Sequence, residues 1–286
     1  MKYETESSLT AAVTAQFAKT PDPRLREILL ALTSHLHAFA RETALTIEEW
    51  SQGIEFITRT GHMCQGGRQE FILLSDVLGL SMLVDAIEHR TQSSATDSTV
   101  LGPFFVDDAP TRLNGADIGA GLAGDLLLVT AAVTGTDGQP LADADVVVWQ
   151  CDEHGRYDIQ YPGRDGYFLR GRFRTDARGL VQFWSIVPPA YPIPDDGPVG
   201  DLLTASGRHP WRPAHVHFHI AAAGHRSLVT HLFVAGEDYL DSDVVFGVKP
   251  SLIVDLVPHG PGTAPDGRVC PNGWKSLDHP FQLAAL

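Results

Sequence analysis

Two histidines separated by one residue are the clearest candidates for chemistry in this chain. His215 and His217 lie in the segment 212–219, where polar and apolar residues alternate as in a β-strand. Residues two apart on a strand point to the same face, so both imidazoles could direct a ring nitrogen at one metal ion. His219 shares this face, but it lies about 13 Å along the strand from His215. The pattern predicts two histidine ligands, although an alternating polar surface would produce the same spacing.

Further ligands for such an ion would have to come from elsewhere in the chain. No carboxylate follows closely after His217, as it does in cupin-type sites, and the three cysteines are too scattered for structural zinc. Among the six tyrosines, Tyr157 follows a predicted strand and Tyr191 lies in a proline-rich segment. Two phenolates and two imidazoles would favour Fe(III), because a trivalent cation offsets the cost of ionising a phenol with a pKa near about 10. Taken alone, each tyrosine is more typical of a buried aromatic residue.

The elements that must position these residues change in type along the chain. In the N-terminal third, apolar residues recur at helical spacing from Leu25 to Phe39, and Thr46 with Glu49 forms a capping box that opens a second helix. A third helix is expected over 68–89, apolar on most sides and therefore buried. Beyond it, short β-branched runs separated by turn residues indicate a β-sandwich or barrel. The predicted strands are 126–134, 145–149, 180–184, 215–220, 228–234 and 252–256.

The composition limits the kinds of partner. The chain has 286 residues and a formal net charge of −14, and it contains no basic block. Nucleic acid and anionic membranes are therefore excluded as partners, because both would repel it. The scattered cysteines favour a reducing compartment, and the longest apolar run, near 126–133, is far shorter than the roughly 20 residues of a membrane-spanning helix. We expect a soluble cytoplasmic protein that acts on a small molecule.

Four motifs together resemble the intradiol ring-cleavage dioxygenases, which are non-haem Fe(III) enzymes that split catechols between the two hydroxylated carbons. The motifs are Ser-Thr-Val-Leu-Gly-Pro-Phe at 98–104, Trp149 with Gly-x-Tyr at 155–157, Pro-x-Tyr-Pro-Ile-Pro at 189–194, and Arg-Pro-x-His-x-His at 212–217. The resemblance spans residue 23 to the end of the chain. Within the family, the segments 57–61, 68–76, 191–200 and 207–213 are similar to the hydroxyquinol 1,2-dioxygenases, and the segment 239–243 is similar to that subgroup and to the chlorocatechol enzymes.

The resemblance implies an α+β fold with an N-terminal helical dimerisation domain, 1–98, followed by a mixed-topology β-sandwich catalytic domain, 99–286. It implies one Fe(III) per subunit, with Tyr157, Tyr191, His215 and His217 as protein ligands and water or hydroxide in a fifth position. Arg212 matches the arginine that the family places beside the substrate ring. Tyr191 is the ligand that a bound diol would displace, which makes it a natural base.

The resemblance also implies a substrate pocket. Its residues here are Leu73, Asp76, Val100, Leu101, Gly102, Pro103, Phe104, Ile193, Pro194, Arg212 and Val245. Except for Asp76 and Arg212, each of these also fits plain core packing, whereas Asp76 could bind the third hydroxyl of hydroxyquinol. One position departs from many catechol-cleaving members, which have Gln where this chain has His231, and its role stays open.

The expected reaction joins hydroxyquinol (benzene-1,2,4-triol) and O₂ to give 3-hydroxy-cis,cis-muconate, which tautomerises to maleylacetate. Family members dimerise through the N-terminal helices and can hold a phospholipid there, so a homodimer is expected and a phospholipid ligand is left open. Catechol and chlorocatechol are alternative substrates. A cupin-type divalent oxygenase with a distant carboxylate such as Glu237, and a transthyretin-like binding module over 136–184, are alternatives of other kinds.

Overall fold

The computed structural model describes residues 4–65, 68–90, 94–161, 163 and 166–286. The chain divides into two compact units, residues 1–59 and 60–286. The domain boundary expected near residue 98 divides a dimerisation domain from a catalytic domain. This is a division by function, so it stays a prediction. Within the described ranges, no helix has both the length and the apolar character needed to cross a membrane.

The first unit is helical. Across the described residues of both units, the α-helices are α1 (Glu6–Phe17), α2 (Pro23–Glu42), α3 (Ile47–Met63), α4 (Glu70–Val77), α5 (Leu80–Glu88) and α6 (Pro198–Ala205). The capping box predicted for α3 is confirmed, because the Thr46 amide donates to Glu49 and the Glu49 amide donates to the Thr46 hydroxyl. Helix α1 was not predicted, since it has a weak apolar stripe and no buried residue.

The single helix expected over 68–89 was wrong, because two helices occupy this stretch. Gly79 has a φ of 71°, in the left-handed region, and this residue separates α4 from α5. The expectation of burial was also wrong for the second half, because α5 has no buried residue and its Leu83 is 56% exposed in the single chain. Of the two helices, α4 is the one with buried residues, which include Leu73 and Asp76.

The second unit is built on two main β-sheets. Its strands are β1 (Leu126–Gly135), β2 (Asp145–Trp149), β3 (Arg170–Arg174), β4 (Leu180–Ile186), β5 (Tyr191–Pro192), β6 (Trp211–Arg212), β7 (His215–Ala221), β8 (Leu228–Val234), β9 (Ile253–Val254), β10 (Val257–His259), β11 (Gly262–Thr263), β12 (Val269–Cys270) and β13 (Trp274–Leu283). One sheet has the order β10-β13-β1-β4 and the other β3-β2-β7-β8-β9. The pairs β1–β13 and β8–β9 are parallel and the other pairs in these sheets are antiparallel, so the expected mixed-topology sandwich is confirmed.

The apolar core lies between the two sheets. Side chains of both sheets belong to one buried cluster, and the rings of Phe218 on β7 and Phe281 on β13 lie 4.8 Å apart between centroids. Of the predicted strands, only 252–256 is much shorter than expected, because only Ile253–Val254 pairs with β8. Strand β13 was missed because it is polar and contains Pro280, which indicates an edge strand or a break. Pro280 is tolerated because β10 pairs only with 274–276, which leaves that side of β13 unpaired at Pro280.

The period of two along β7 decides which side chains reach the site. Val216, Phe218 and Ile220 belong to the core cluster between the sheets. Alternate residues of a strand face opposite sides, so His215 and His217 face away from the core. They lie on the outer face of the five-stranded sheet, where loops rather than a second sheet can cover them.

Candidate metal centre

Three neighbouring strands place aromatic and imidazole side chains side by side. In the register of the sheet, His217 on β7 is opposite Trp149 on β2 and opposite His231 on β8. The ring of Trp149 stacks on that of His217 at 4.6 Å between centroids with an angle of 17°. This stacking fixes the plane of the His217 imidazole on the outer face of the sheet.

Two loops bring phenols to the same point. Tyr157 precedes a 3₁₀ turn at Asp158–Gln160, and Tyr191 begins β5, which pairs with β6. The Tyr157 hydroxyl lies 3.1 Å from the Tyr191 hydroxyl and 2.8 Å from Nε2 of His217. Nε2 of His215 lies 3.1 Å from Nε2 of His217. The four residues expected as ligands therefore present their donor atoms to one small space.

These separations fit a single metal ion. Oxygen and nitrogen ligands about 2.0–2.2 Å from a metal, at right angles to one another, lie about 2.8–3.1 Å apart. The four side chains are buried, with exposures between 0% for Tyr157 and 3% for Tyr191. Burial from water strengthens the interaction of such a donor set with a cation.

The protonation states of the imidazoles suit metal binding. Burial, with the charge of Arg212 as a further cause, lowers the pKa of His215 well below its usual value, and burial lowers the pKa of His217 in the same direction. Both imidazoles are therefore neutral at physiological pH. The His215 Nδ1–H donates to the carbonyl of Pro213 at 2.7 Å, which leaves the lone pair of Nε2 directed at the cluster.

The phenols need a cation to ionise. Burial raises the pKa of Tyr157 well above its usual value, and burial also raises the pKa of Tyr191, although Arg212 opposes the effect there. Without a metal ion, both hydroxyls stay neutral. A trivalent ion between them would reverse this preference, because direct bonding to the oxygens offsets the cost of the charge.

His231 was noted in the sequence as a departure from the family pattern, and the structure places it inside this cluster. Its ring centroid lies 4.1 Å from that of His217 and 4.9 Å from that of His215. The three histidines have nitrogen atoms within 4.8 Å of one another, so they are also a possible metal-binding group. Within the described part of the chain, the buried Nε2 of His231 has no hydrogen-bond partner.

Arg212 is buried next to the donor atoms. It lies opposite Tyr191 in the β5–β6 pair, and its NH1 lies 3.2 Å from Nε2 of His215. Its Nε and NH2 donate to the carboxylate of Asp243, and NH2 also lies 3.5 Å from Nδ1 of His231. Arg212 interacts with Tyr191 as well. Burial opposes the charged form of Arg212, but the charge and hydrogen bonds of Asp243, together with the oxygens of Tyr191 and Tyr157, raise its pKa, so the guanidinium stays charged.

The residues expected to line a substrate pocket do not all lie in one place. Phe104, Ile193 and Pro194 line a cleft of about 760 Å³. Leu73 and Val245 belong to a buried apolar cluster that also contains Ile193. The remaining apolar candidates, Val100, Leu101, Gly102 and Pro103, lie on the segment that leads to Phe104 and are not among the lining residues of the cleft.

Two of these pocket candidates contact the ligand rings. Phe104 stacks on Tyr157 with ring centroids 4.4 Å apart. A Cβ atom on Gly102 would lie 3.5 Å from Cε1 of His217, so the backbone passes close to that imidazole. Gly102 also has a φ of 75°, which favours glycine. Both residues therefore pack next to the rings of candidate ligands.

A buried ion pair supports the loop that carries Tyr157. Arg170 on β3 is 0% exposed, and its Nε and NH2 donate to Asp158 at 2.9 and 2.7 Å. The same NH2 donates to the carbonyl of Phe104 at 2.8 Å. One guanidinium therefore ties together the turn after Tyr157 and the segment whose ring stacks on it. Sequence reasoning missed this pair, although the position of Asp158 directly after Tyr157 was a usable signal.

Comparison with known proteins assigns both parts of the chain to one family. A family profile described as "Catechol dioxygenase N terminus" matches residues 22–96, and one described as "Dioxygenase" matches residues 100–264. Together they cover the helical region after α1 and most of the sandwich, including all four candidate ligands.

Individual relatives are similar over nearly their full length. The chain is 52% identical over 263 residues to a Cupriavidus pinatubonensis protein named "6-chlorohydroxyquinol 1,2-dioxygenase", covering 92% of this chain and 95% of the relative. It is 48% identical over 287 residues to "Hydroxyquinol 1,2-dioxygenase" of Rhodococcus opacus, covering 99% and 95%. Among solved structures, hydroxyquinol 1,2-dioxygenase from Pseudomonas putida has a TM-score of 0.91 at 44% identity, covering 98% of this chain and 99% of that one.

The Arg170–Asp158 pair gives a stability prediction. We expect Arg170→Ala to lower the free energy of unfolding by about 3–5 kcal/mol, because it leaves a buried carboxylate without its partner. The matched control is Arg178→Ala, which removes an exposed arginine paired with Asp176 at 3.3 Å and should cost at most about 1 kcal/mol. Urea denaturation followed by tryptophan fluorescence measures both. Equal losses in the two variants would contradict a supporting role for Arg170.

Proposed function

Because the chain belongs to the intradiol ring-cleavage dioxygenases, we propose that it cleaves hydroxyquinol with O₂ to 3-hydroxy-cis,cis-muconate, which tautomerises to maleylacetate. The observation that carries this proposal is the approach of two phenol oxygens and two imidazole nitrogens to within 2.8–3.1 Å of a neighbour in one buried space. The choice of hydroxyquinol is supported by relatives at 46–48% identity that bear its name. A chlorinated hydroxyquinol is the second candidate, because the relative at 52% identity is named for one.

The proposed cofactor is one Fe(III) per chain. Tyr157, Tyr191, His215 and His217 would hold it, and the hard phenolate oxygens favour the ferric state over softer or divalent ions. When bound, ferric iron would supply Lewis-acid chemistry towards a diol. His231 belongs to the same histidine group, and we propose that it stays outside the ligand set, because the two tyrosines and the other two histidines already supply four donor atoms, each 2.8–3.1 Å from a neighbour.

The protein's own residues would handle protons and charge. The Tyr191 oxygen is the proposed base for one hydroxyl of the diol, because a phenolate beside the diol would take up a proton readily. The Arg212 guanidinium would stabilise the negative charge that develops on the ring. Its buried position makes this stabilisation stronger than it would be in water.

Asp76 is proposed to bind the third hydroxyl of hydroxyquinol. It is 2% exposed, and its Oδ1 has no hydrogen-bond partner within the described ranges. Burial raises the pKa of this carboxyl group, with Ser81 and Arg212 opposing the effect. An unpartnered buried oxygen is costly, so a substrate hydroxyl that pairs with it would gain binding free energy that catechol lacks.

The cleft offers room for such a ring. Its volume of about 760 Å³ is within the range of small-molecule sites, and its lining combines apolar Ile193 and Pro194 with the charged side chains of Arg68 and Asp196. Arg68 donates to Asp196 at 2.7 Å, which holds these two charges together at the edge of the cleft. The family assignment covers the segments on which the cupin-type and transthyretin-type alternatives rested, and neither alternative is retained.

The test of the proposed reaction is oxygen uptake by the iron-quantified protein with a panel of diols. We expect about one iron per chain, a red-brown colour, and the highest kcat/KM with hydroxyquinol or its chlorinated form, ahead of catechol and chlorocatechols. Tyr157→Phe should lose iron and colour, because one phenolate ligand is removed. Tyr167→Phe is the matched control and should keep both, since the hydroxyl of Tyr167 pairs with Asp108. A colourless protein without ring cleavage would refute the proposal.

The role of Asp76 is tested by substrate preference. We expect Asp76→Ala to lower kcat/KM for hydroxyquinol about 10- to 100-fold while kcat/KM for catechol changes little, because one hydrogen bond to the third hydroxyl is lost. Asp76→Asn keeps the size and one acceptor oxygen, so it should lose less. The assignment fails if Asp76→Ala keeps the full preference for hydroxyquinol over catechol.

We also propose that the N-terminal helices form a homodimer. Large apolar residues along α2 are about half exposed in the single chain, and α3 carries three more. They are Leu25, Ile28, Leu32, Leu36 and Phe39 on α2, and Trp50, Ile54 and Ile57 on α3. Exposed apolar stripes of this length mark interaction surfaces. They are also suited to the acyl chains of a phospholipid, the second proposed occupant of this region.

Sedimentation velocity tests the dimer. We expect the wild-type protein to sediment as a dimer at micromolar concentration and Leu32→Glu to shift it to a monomer, because a buried unpaired charge opposes association. The matched control Ser34→Glu adds the same charge at an exposed position about 200° around the helix and should leave the dimer intact. Lipid extraction from the purified protein, followed by mass spectrometry, determines whether a phospholipid is present. A wild-type monomer would refute the proposal.

A cytoplasmic location is proposed on the cysteines. Cys64, Cys151 and Cys270 are all free thiols, and two of them are buried. A chain without disulfides is typical of a reducing compartment.

A further inference from the structure

The carboxylate of Asp243 accepts two hydrogen bonds from one edge of the Arg212 guanidinium. Its Oδ1 accepts from Nε at 3.1 Å and its Oδ2 accepts from NH2 at 3.2 Å, which is the two-point geometry of an arginine–carboxylate pair. Both side chains are buried, with exposures of 4% and 2%. The two residues are far apart in the sequence. Asp243 belongs to the segment 239–243, and no residue of this segment has a role in the proposed reaction.

Because Asp243 binds Nε and NH2 of Arg212, the third nitrogen of the guanidinium, NH1, points towards the candidate ligand atoms. NH1 lies 3.2 Å from Nε2 of His215, among the four candidate ligand atoms. Arg212 also interacts with the hydroxyl side of Tyr191. If Asp243 were absent, the guanidinium could rotate about its long side chain and present a different edge. The carboxylate therefore decides which nitrogen faces the site.

The same carboxylate fixes the loop that follows it. The amide of Gly247 donates to Oδ2 at 2.9 Å, and the amide of Val245 lies 3.4 Å from Oδ1. Val245 is one of the residues expected to line the substrate pocket. One side chain thus sets the place of both the guanidinium and a pocket wall, so the two cannot move independently.

Gly247 shows how closely these groups are packed. A Cβ atom at this position would lie 3.1 Å from NH2 of Arg212 and 3.1 Å from Oδ2 of Asp243. The backbone at Gly247 is outside the left-handed region, so alanine is allowed by conformation and hindered only by this contact. A methyl group there would wedge the two partners of the ion pair apart.

We propose that Asp243 is a positioning residue for ring cleavage: it holds the Nε and NH2 edge of Arg212 so that NH1 is directed at the reacting diol. The inference rests on the proposed function for its catalytic consequence, but the orientation of the guanidinium can be observed without any reaction. Asp243 acts through Arg212 and contacts none of the four candidate ligand atoms in the described structure.

A double-mutant cycle tests the inference. We expect Asp243→Asn to lower kcat for hydroxyquinol roughly 10- to 100-fold with a much smaller change in KM, because a misplaced catalytic group costs rate more than binding. In an Arg212→Gln background, the same change should alter kcat by less than about twofold, because the group that it positions is gone. A residue that only supported the fold would reduce kcat by similar factors in both backgrounds, and that result would overturn the proposal.

Crystal structures of the purified wild-type protein and variants give the second readout. In Asp243→Asn we expect the guanidinium of Arg212 to rotate and NH1 to move away from His215. Gly247→Ala tests the same contact without removing a polar group and should displace the guanidinium in the same way with a smaller loss of kcat. It keeps the inference testable if Asp243→Asn fails to fold. An unmoved guanidinium in every variant that folds would overturn the proposal.

Matched control variants distinguish the effect of changing the Arg212–Asp243 pair from that of similar substitutions elsewhere. Asp241→Asn removes an exposed carboxylate two residues away, and Gly260→Ala adds a methyl group where no atom lies within 4 Å. Both should keep kcat within about twofold of the wild type. If the wild-type protein cleaves no diol at all, the proposed function fails, whereas the crystal structures still decide whether Asp243 orients Arg212.

Discussion

Two phenol oxygens and two imidazole nitrogens crowd a space from which water is nearly excluded, with neighbouring atoms 2.8–3.1 Å apart. Such a group is poorly satisfied by hydrogen bonds alone, because the donors are few and the imidazoles are held neutral by burial. A cation at the centre resolves this conflict, since every one of these atoms can direct a lone pair at it. The packing around the group therefore keeps the four candidate ligand atoms together.

Rigid elements and loops share that task. The two imidazoles lie on a central strand, where the sheet register fixes their spacing, and a stacked indole fixes one ring plane. The two phenols come from loops, which are less constrained, and each has its own support. Tyr157 is held by the Arg170–Asp158 pair through the adjoining turn, and Tyr191 pairs with Arg212 across two short strands. Each buried arginine has a buried carboxylate as partner, so neither support adds net charge to the centre.

The sequence predicted correctly those features that depend on residues close together in the chain. The period of two along β7 predicted that His215 and His217 share a face, and Thr46 with Glu49 predicted the start of a helix. It failed where one residue overrides a pattern, as Gly79 does in the middle of a long apolar run. Tyr157 and Tyr191 were candidates from their positions in the sequence, but the full set of four candidate ligands came from the resemblance to a family, because nothing local says that the loops at 157 and 191 meet.

Contacts between distant segments could not be predicted from spacing. His231 reaches the cluster only because β8 pairs with β7 in one particular register. The pairing of Arg212 with Asp243 depends on a loop whose path has no periodic pattern. In both cases the chain contained the residue types but no signal of their distance, so only the folded structure could identify these partners.

The position of β13 has a consequence for synthesis on the ribosome. This strand lies between β10 and β1, pairs in parallel with β1, and covers Phe218 on the inner face of the histidine strand with Phe281. A nascent chain that has completed β7 therefore still lacks the ring that packs on Phe218. Because pairings so distant in sequence form late, the parallel β1–β13 pair can complete the sandwich only after residue 283 has been synthesised.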